Sequence, residues 1–288
     1  MMKFRRPRGL RLPILMYHSI SHDRETGHPY YWINTSPALF AQHMQYLADH
    51  NYQVISLSHA VEMIRGFSPT TKHQPLNTKA VVLTFDDGYA DFYTDAFPVL
   101  RRHGFTATVF LPTDYIGNGR PTLRGKAHLT WDRVRELSAA GITFGSHTCS
   151  HPQLHDLGPE EITRELSTSK QTIESQLNVS AGQPVSRSAG QPRGVDSFCY
   201  PYKFPEHDIQ FVSTLSKVLR SVGYDCCLST RIGTTHSADD LFALRRVPIN
   251  SADDQALFAA KLSGAYDCMA TLQALSKKAR SAGKTRTR

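Results

Sequence analysis

Nowhere in the 288 residues is there a run of about 18 continuous apolar residues, which excludes an ordinary membrane-spanning helix. A readable leader is missing too. The N-terminus "MMKFRRPRGLRLPILMYHSI" opens with basic residues, but its apolar core is only "LPILM", interrupted by Pro13 and followed by Tyr17 and His18. No small-residue cleavage site follows, so a cytoplasmic protein is expected, with export by an unrecognised signal left open. Cysteine is scarce. The five (Cys149, Cys199, Cys226, Cys227 and Cys268) show neither metal-finger spacing nor a disulfide framework, and small buried hydrophobes are expected. Acidic residues are absent from both ends: residues 1–11 hold five Lys or Arg and residues 277–288 hold six. The remainder carries 22 basic against 25 acidic side chains, so the net charge of +8 belongs to the tails and no nucleic-acid partner is expected for the body. Such tails read as solvated and disordered, the functional alternative being weak attraction to an anionic membrane surface or to charged lipid-linked substrates, at ~1 kcal/mol per residue.

What is present is alternation. "LPILMYH", "QVISL", "AVVLTF", "TATVFL", "ITFGS", "SFCYPY", "DCCLST" and "FALRRVPI" read as strands. Amphipathic stretches lie between them at about 36–50, 91–103, 131–140, 159–177, 208–222 and 252–275. Strand–helix alternation implies right-handed βα units around a parallel sheet, and seven or eight units suggest an α/β fold with a closed or nearly closed barrel. Chemistry then belongs at the C-terminal strand ends. Thr35 or Ser36 caps a helix ahead of Pro37, and Thr130 caps another. Residues 67–79 form a polar, proline-punctuated connection. Residues 178–195 contain SAGQP twice and read as a flexible insertion. A single domain over 12–275 is expected, between basic tails at 1–11 and 276–288.

The stretch "VVLTFDDGYADF" ends a buried-looking strand in two adjacent carboxylates and Gly88. Adjacent buried charges need compensation. One aspartate could cap the helix beginning near Asp91, but two do not need to. In "ITFGSHTCSHPQL", His147 and His151 lie four apart in a strand-to-loop turn bracketed by Gly145 and Pro152. Together with Asp87 they would make a three-ligand divalent-metal site with open positions, zinc by default, with Ni²⁺, Co²⁺ or Fe²⁺ also suited. A metal there would neutralise one carboxylate and leave the other to take a proton.

With "TFDDG" followed by "SHTCSH", the chain resembles the polysaccharide deacetylase family, carbohydrate esterase family 4. "LPILMYHSI", "AFPVLRRHGFTATVFLPTDYIG", "LTWDRVRELSAAGITFGSH" and "FCYPYKF" stand in the family's order, so the likeness covers about residues 11–250. It is closest to the branch that acts on poly-N-acetylglucosamine. The resemblance implies a distorted (β/α) barrel, an N-acetylated glycan substrate, Asp86 as general base, and Asp87, His147 and His151 as metal ligands. It also implies the Tyr202 backbone N–H at the oxyanion, the Tyr202 ring being either a sugar-site wall or a core aromatic.

Two departures stand out. There is no C-terminal L-x-H, and His18 is the candidate acid in its place. The arginine usual in the third motif is replaced by Cys199 and its glycine by Lys203; Arg246, at the end of the last strand, either supplies the missing charge or is a surface residue. A carbohydrate-binding protein on the same fold that has lost turnover is the alternative function.

Overall fold

The computed structural model describes residues 10–66, 79–177 and 194–269. Seven strands close a parallel barrel: β1 (Ile14–Tyr17), β2 (Lys79–Phe85), β3 (Thr108–Leu111), β4 (Thr143–Ser146), β5 (Ser197–Cys199), β6 (Cys226–Ile232) and β7 (Leu244–Pro248). Each pairs with the next in sequence, and β7 returns to β1 through Val247 opposite Leu15 and Pro248 opposite Met16. The "QVISL" run supplies Tyr52–Val54, which pairs with the outer start of β2 and stays outside the ring. That is why the ring has seven strands.

Apart from α2 (Leu57–Gly66), helices α1 (Pro37–Asp49), α3 (Phe97–His103), α4 (Trp131–Ala139), α5 (Pro159–Gln176), α6 (Ile209–Val222) and α7 (Gln255–Leu262) fall in the six amphipathic stretches. Ser36 is the α1 cap, accepting from Leu39 N–H ahead of Pro37, and Thr130 accepts from Arg133 N–H to start α4. The 91–103 stretch begins as a π-helical turn, Phe92–Ala96, before α3. Within the 252–275 stretch α7 ends at Leu262, because Gly264 turns left-handed (φ 75°) into a short 3₁₀ turn, and residues 270–275 lie outside the described residues.

The helix α2 (Leu57–Gly66) has no counterpart among the expected stretches. Its Leu57, Ala60, Val61 and Ile64 pack in one apolar cluster with Leu12, Ile14, Val82, Phe110, Leu228 and Leu244. Those strand residues alternate with Leu15, Leu83, Val109 and Val247 of a second cluster that also holds buried faces of α1 and α3–α7. The first cluster is therefore the barrel interior, closed at one end by α2, and the second is the layer between strands and outer helices. Gly145 on β4 lets the interior close, since a Cβ there would come within 2.3 Å of the Phe110 ring.

Four cysteines are buried as expected, but Cys268 is exposed, lying just beyond the 3₁₀ turn at Ala265–Asp267. Leu10 is buried and Arg11–Leu12 pairs antiparallel with Thr235–His236, so the ordered body begins before residue 12. Val195 is buried and its N–H donates to Glu174, which draws the end of the 178–195 segment into the body. The rest of that segment, the 67–78 connection and the basic tails at 1–9 and 276–288 lie outside the described residues. Among the described residues no helix is long and apolar enough to cross a membrane.

Candidate active site

Along β2 the inward positions run Val82, Thr84, Asp86, turning from apolar to charged toward the C-terminal end. Asp86 stays in the ladder, donating its N–H to the Tyr17 carbonyl at 2.9 Å. Asp87 leaves it with a left-handed backbone (φ 68°), and Gly88 follows (φ 60°), where a Cβ would meet Leu111 at 2.7 Å. The reversal sends the two carboxylates to different partners.

Asp86 is 2% exposed and Arg246 1%. The guanidinium donates through Nη1 to Oδ1 (2.7 Å) and through Nη2 to Oδ2 (2.8 Å), while its Nε donates to the Ser229 carbonyl (3.1 Å). Burial raises the Asp86 pKa, but the charge and hydrogen bonds of Arg246 outweigh it and hold the carboxyl below its usual value. Arg246 is thus no surface arginine, and it stands mid-strand rather than at the strand end. Cys199 is the third neighbour: burial keeps its thiol protonated, and it donates to Asp86 Oδ2 at 3.4 Å. His18 Nε2 lies 3.8 Å from the same oxygen, with its pKa lowered because burial outweighs the nearby carboxylates.

Asp87 Oδ1 faces His147 Nε2 at 3.4 Å and His151 Nε2 at 3.3 Å. The three donor atoms lie within 4.8 Å of one another. His147 Nδ1 is 2.7 Å from the Cys199 carbonyl. A carbonyl only accepts, so Nδ1 carries the proton and Nε2 keeps its lone pair for a cation. The loop bearing both histidines is built from below by α5, where the Glu165 carboxylate accepts from Cys149 N–H, Ser150 N–H and the Ser150 hydroxyl. Thr148 Oγ1 accepts from His151 N–H at 3.0 Å. One carboxylate and two imidazoles, the His147 tautomer fixed by the Cys199 carbonyl, with an open side, fit a catalytic divalent cation. A second convergent set, Asp86, His147 and Cys199, fits less well, because Arg246 holds both Asp86 oxygens and the thiol keeps its proton.

Among the described residues, five of the six non-glycine residues with left-handed backbone (Asp87, Arg124, Thr148, His151 and Tyr202) belong to this site or its loops. Each costs ~1–3 kcal/mol, and such strain gathers where a side chain must be aimed. Tyr202 is 51% exposed with its ring centroid 4.5 Å from that of His151, so it is a wall of the cleft rather than a core aromatic. The cleft has a volume of about 150 Å³ and is lined by all seven singled-out residues except Arg246, which lies beneath Asp86. Tyr89 and Arg124 also line it and were not singled out. Tyr89 stands in the "VVLTFDDGYADF" stretch, two residues past Asp87, where the reversal at Asp87 and Gly88 brings its hydroxyl toward that carboxylate. Arg124 offers no local pattern that would have found it.

Comparison with known proteins settles the family. A protein of Bacillus subtilis (strain 168), YxkH, named for polysaccharide deacetylation, is 30% identical over 253 residues, 87% of this chain and 75% of its own length. The chain belongs to the polysaccharide deacetylase family. The family's profile, described as polysaccharide deacetylase, matches residues 73–210. The poly-β-1,6-N-acetyl-D-glucosamine N-deacetylase of Escherichia coli (strain K12) is 35% identical over 112 residues, which is 36% of this chain but only 16% of that protein. Among solved structures, the Streptococcus pyogenes deacetylase PplD in complex with acetate superposes with a TM-score of 0.67 at 24% identity, covering 88% of this chain and 99% of that one. IcaB from Ammonifex degensii gives 0.66 at 22%, covering 88% and 97%. At those identities the two structures speak for the barrel fold.

Proposed function

We propose that this polysaccharide deacetylase hydrolyses the N-acetyl amide of amino sugars in a polysaccharide, oligosaccharide or lipid-linked glycan, using a divalent cation held by Asp87, His147 and His151. The observation that carries the reading is the division of the two aspartates, one on an arginine and one facing two imidazole Nε2 atoms. A divalent cation bound there, zinc by default and Ni²⁺, Co²⁺ or Fe²⁺ as alternatives, supplies Lewis acidity toward the amide carbonyl and lowers the pKa of water from about 15.7 toward 7.

In this reading Asp86 accepts a proton from the attacking water, and Arg246 holds the carboxylate in place and ionised. The water oxygen bonds to the amide carbon, and the Tyr202 backbone N–H stabilises the oxyanion that forms. When the C–N bond breaks, the proton that Asp86 accepted passes through His18, whose Nε2 lies 3.8 Å from the Asp86 carboxylate, to the amine nitrogen, giving acetate and a free amino sugar. Arg246 supplies from β7 the charge that the third motif lacks at Cys199, which speaks against the alternative of a binding protein without turnover. A nucleic-acid partner has no support in the body's charge of −3.

The test is acetate release from N-acetylglucosamine oligomers by purified protein, before and after chelation and on return of single metals. Release that stops with the chelator and returns with the cation is the expected outcome. Sugar binding without acetate release at full cation occupancy would favour the binding protein instead.

A further inference from the structure

A second cavity lies beside the cleft over the aspartates. It has a volume of about 460 Å³ and lies under the loop that follows β3. The two spaces are sides of one loop: residues 120–122 line the cavity, whereas Leu123 and Arg124 line the cleft. Between them stands a pair of rings. Tyr89 of the cleft and His128 of the cavity are backbone partners in an isolated antiparallel bridge, with ring centroids 5.1 Å apart. Flanking bonds, Ala90 N–H to the Ala127 carbonyl and Leu129 N–H to the Gly88 carbonyl, both 2.9 Å, fix that wall to the Asp86–Asp87 turn.

Size decides what each space can hold. At about 150 Å³ the cleft falls below the ~300–1,000 Å³ of small-molecule sites, leaving room for the acetamido group and part of one ring. A flanking sugar must lie elsewhere, and the neighbouring 460 Å³ is within the range. Its chemistry is one-sided. Arg120 and Arg133 line it together with Asn118 and Thr130, and among the described residues no carboxylate does. Arg133 is held over the Tyr93 ring, whose hydroxyl donates to Glu136. The wall offers unsatisfied polar atoms on the cavity side: both nitrogens of His128, 7% exposed, have no hydrogen-bond partner. Burial pushes the His128 pKa down to about 4, so its imidazole is neutral and offers one donor and one acceptor. Buried polar atoms in that state call for a partner.

Resting on the deacetylase reading, we propose that this cavity is a subsite for the sugar unit flanking the one that is deacetylated, and that Arg120 and Arg133 select a flanking unit bearing an acidic group, a carboxylate or a phosphate. An arginine pair gives charge-assisted hydrogen bonds to such a group and much less to a neutral hydroxyl.

The experiment compares three N-acetylated disaccharides on full-length protein loaded with one divalent cation: a neutral one, one with a carboxylate on the flanking ring, and one with a phosphate there. For each, acetate release gives kcat and KM, and calorimetry gives binding. The expected result is a KM about tenfold lower for an acidic disaccharide than for the neutral one, with kcat alike, and a preference that collapses toward one in Arg120→Ser/Arg133→Ser. Whichever acidic form is preferred identifies the group. Equal KM values for all three in the wild type, or a preference that survives the double substitution, overturns the subsite. Tighter calorimetric binding of an acidic disaccharide, lost in the double variant and without any acetate release, would keep the subsite and overturn the deacetylase reading.

Discussion

Two layers of the barrel interior are made by the same strands, a step of two residues apart, and they have opposite chemistry. The lower layer holds Ile14, Val82, Leu228 and Leu244, sealed by α2. The upper layer holds Met16, Thr84, Asp86 and Arg246, with His18 above them, open to the cleft. The lower layer gains stability from apolar burial, ~1.5–3 kcal/mol for each large side chain. The upper one buries an ion pair whose desolvation roughly cancels its attraction, so its presence speaks for positioning rather than stability. A strand in this protein is thus half support and half site, and the division falls within a single residue pair on β7, Leu244 against Arg246.

Substitutions in the two layers should separate cleanly. The largest effect is expected for Asp86→Asn, which lowers acetate release about 10²–10⁴-fold in steady-state kinetics. Arg246→Met should strand the Asp86 carboxylate without a cation, costing ~3–5 kcal/mol in denaturant unfolding along with most of the rate. In the lower layer Phe110→Ala should cost a similar ~3–5 kcal/mol. It should nevertheless leave the cation stoichiometry of the folded protein intact, and a lost cation there would show that the layers are not separable. The smallest effect concerns the opposite end of the barrel, where Asp196 precedes β5. Burial, then the neighbouring Asp225, pushes its pKa up to about 6. Its folded pKa lies above the unfolded value, so the stability associated with its neutral form is full below about pH 4 and is lost as pH rises through about 6. Asp196→Asn should remove that loss and stabilise the protein by up to ~3 kcal/mol at pH 8 relative to pH 4, read as the difference in Tm between the two.

The lower layer was legible because period-two alternation and turn residues are local signals, and all seven ring strands overlap quoted apolar runs, only Lys79 of β2 and Arg231 and Ile232 of β6 falling outside them. The helix α2 was missed because Leu57–Gly66 sits close behind a short strand and runs into a polar connection, which blurs its period. In the upper layer Asp87, His147 and His151 could be assembled from strand-end positions alone, and they do converge. Arg246 could be named but not placed: whether its side chain pointed inward depended on the ladder register, which puts it opposite Ile232 and beneath Asp86. Arg124 and the Tyr89–His128 wall were illegible for the same reason, since they come from a loop folding back on the aspartate turn through backbone bonds that any sequence can make.

The most direct test of the account is cation stoichiometry measured side by side on wild type, Asp86→Asn and His147→Ala. The division of the two carboxylates leads to one divalent ion per chain in wild type and in Asp86→Asn, and to none in His147→Ala. Equal cation loss in both variants, or a wild-type chain that takes up no stoichiometric cation from any transition metal offered, would contradict it.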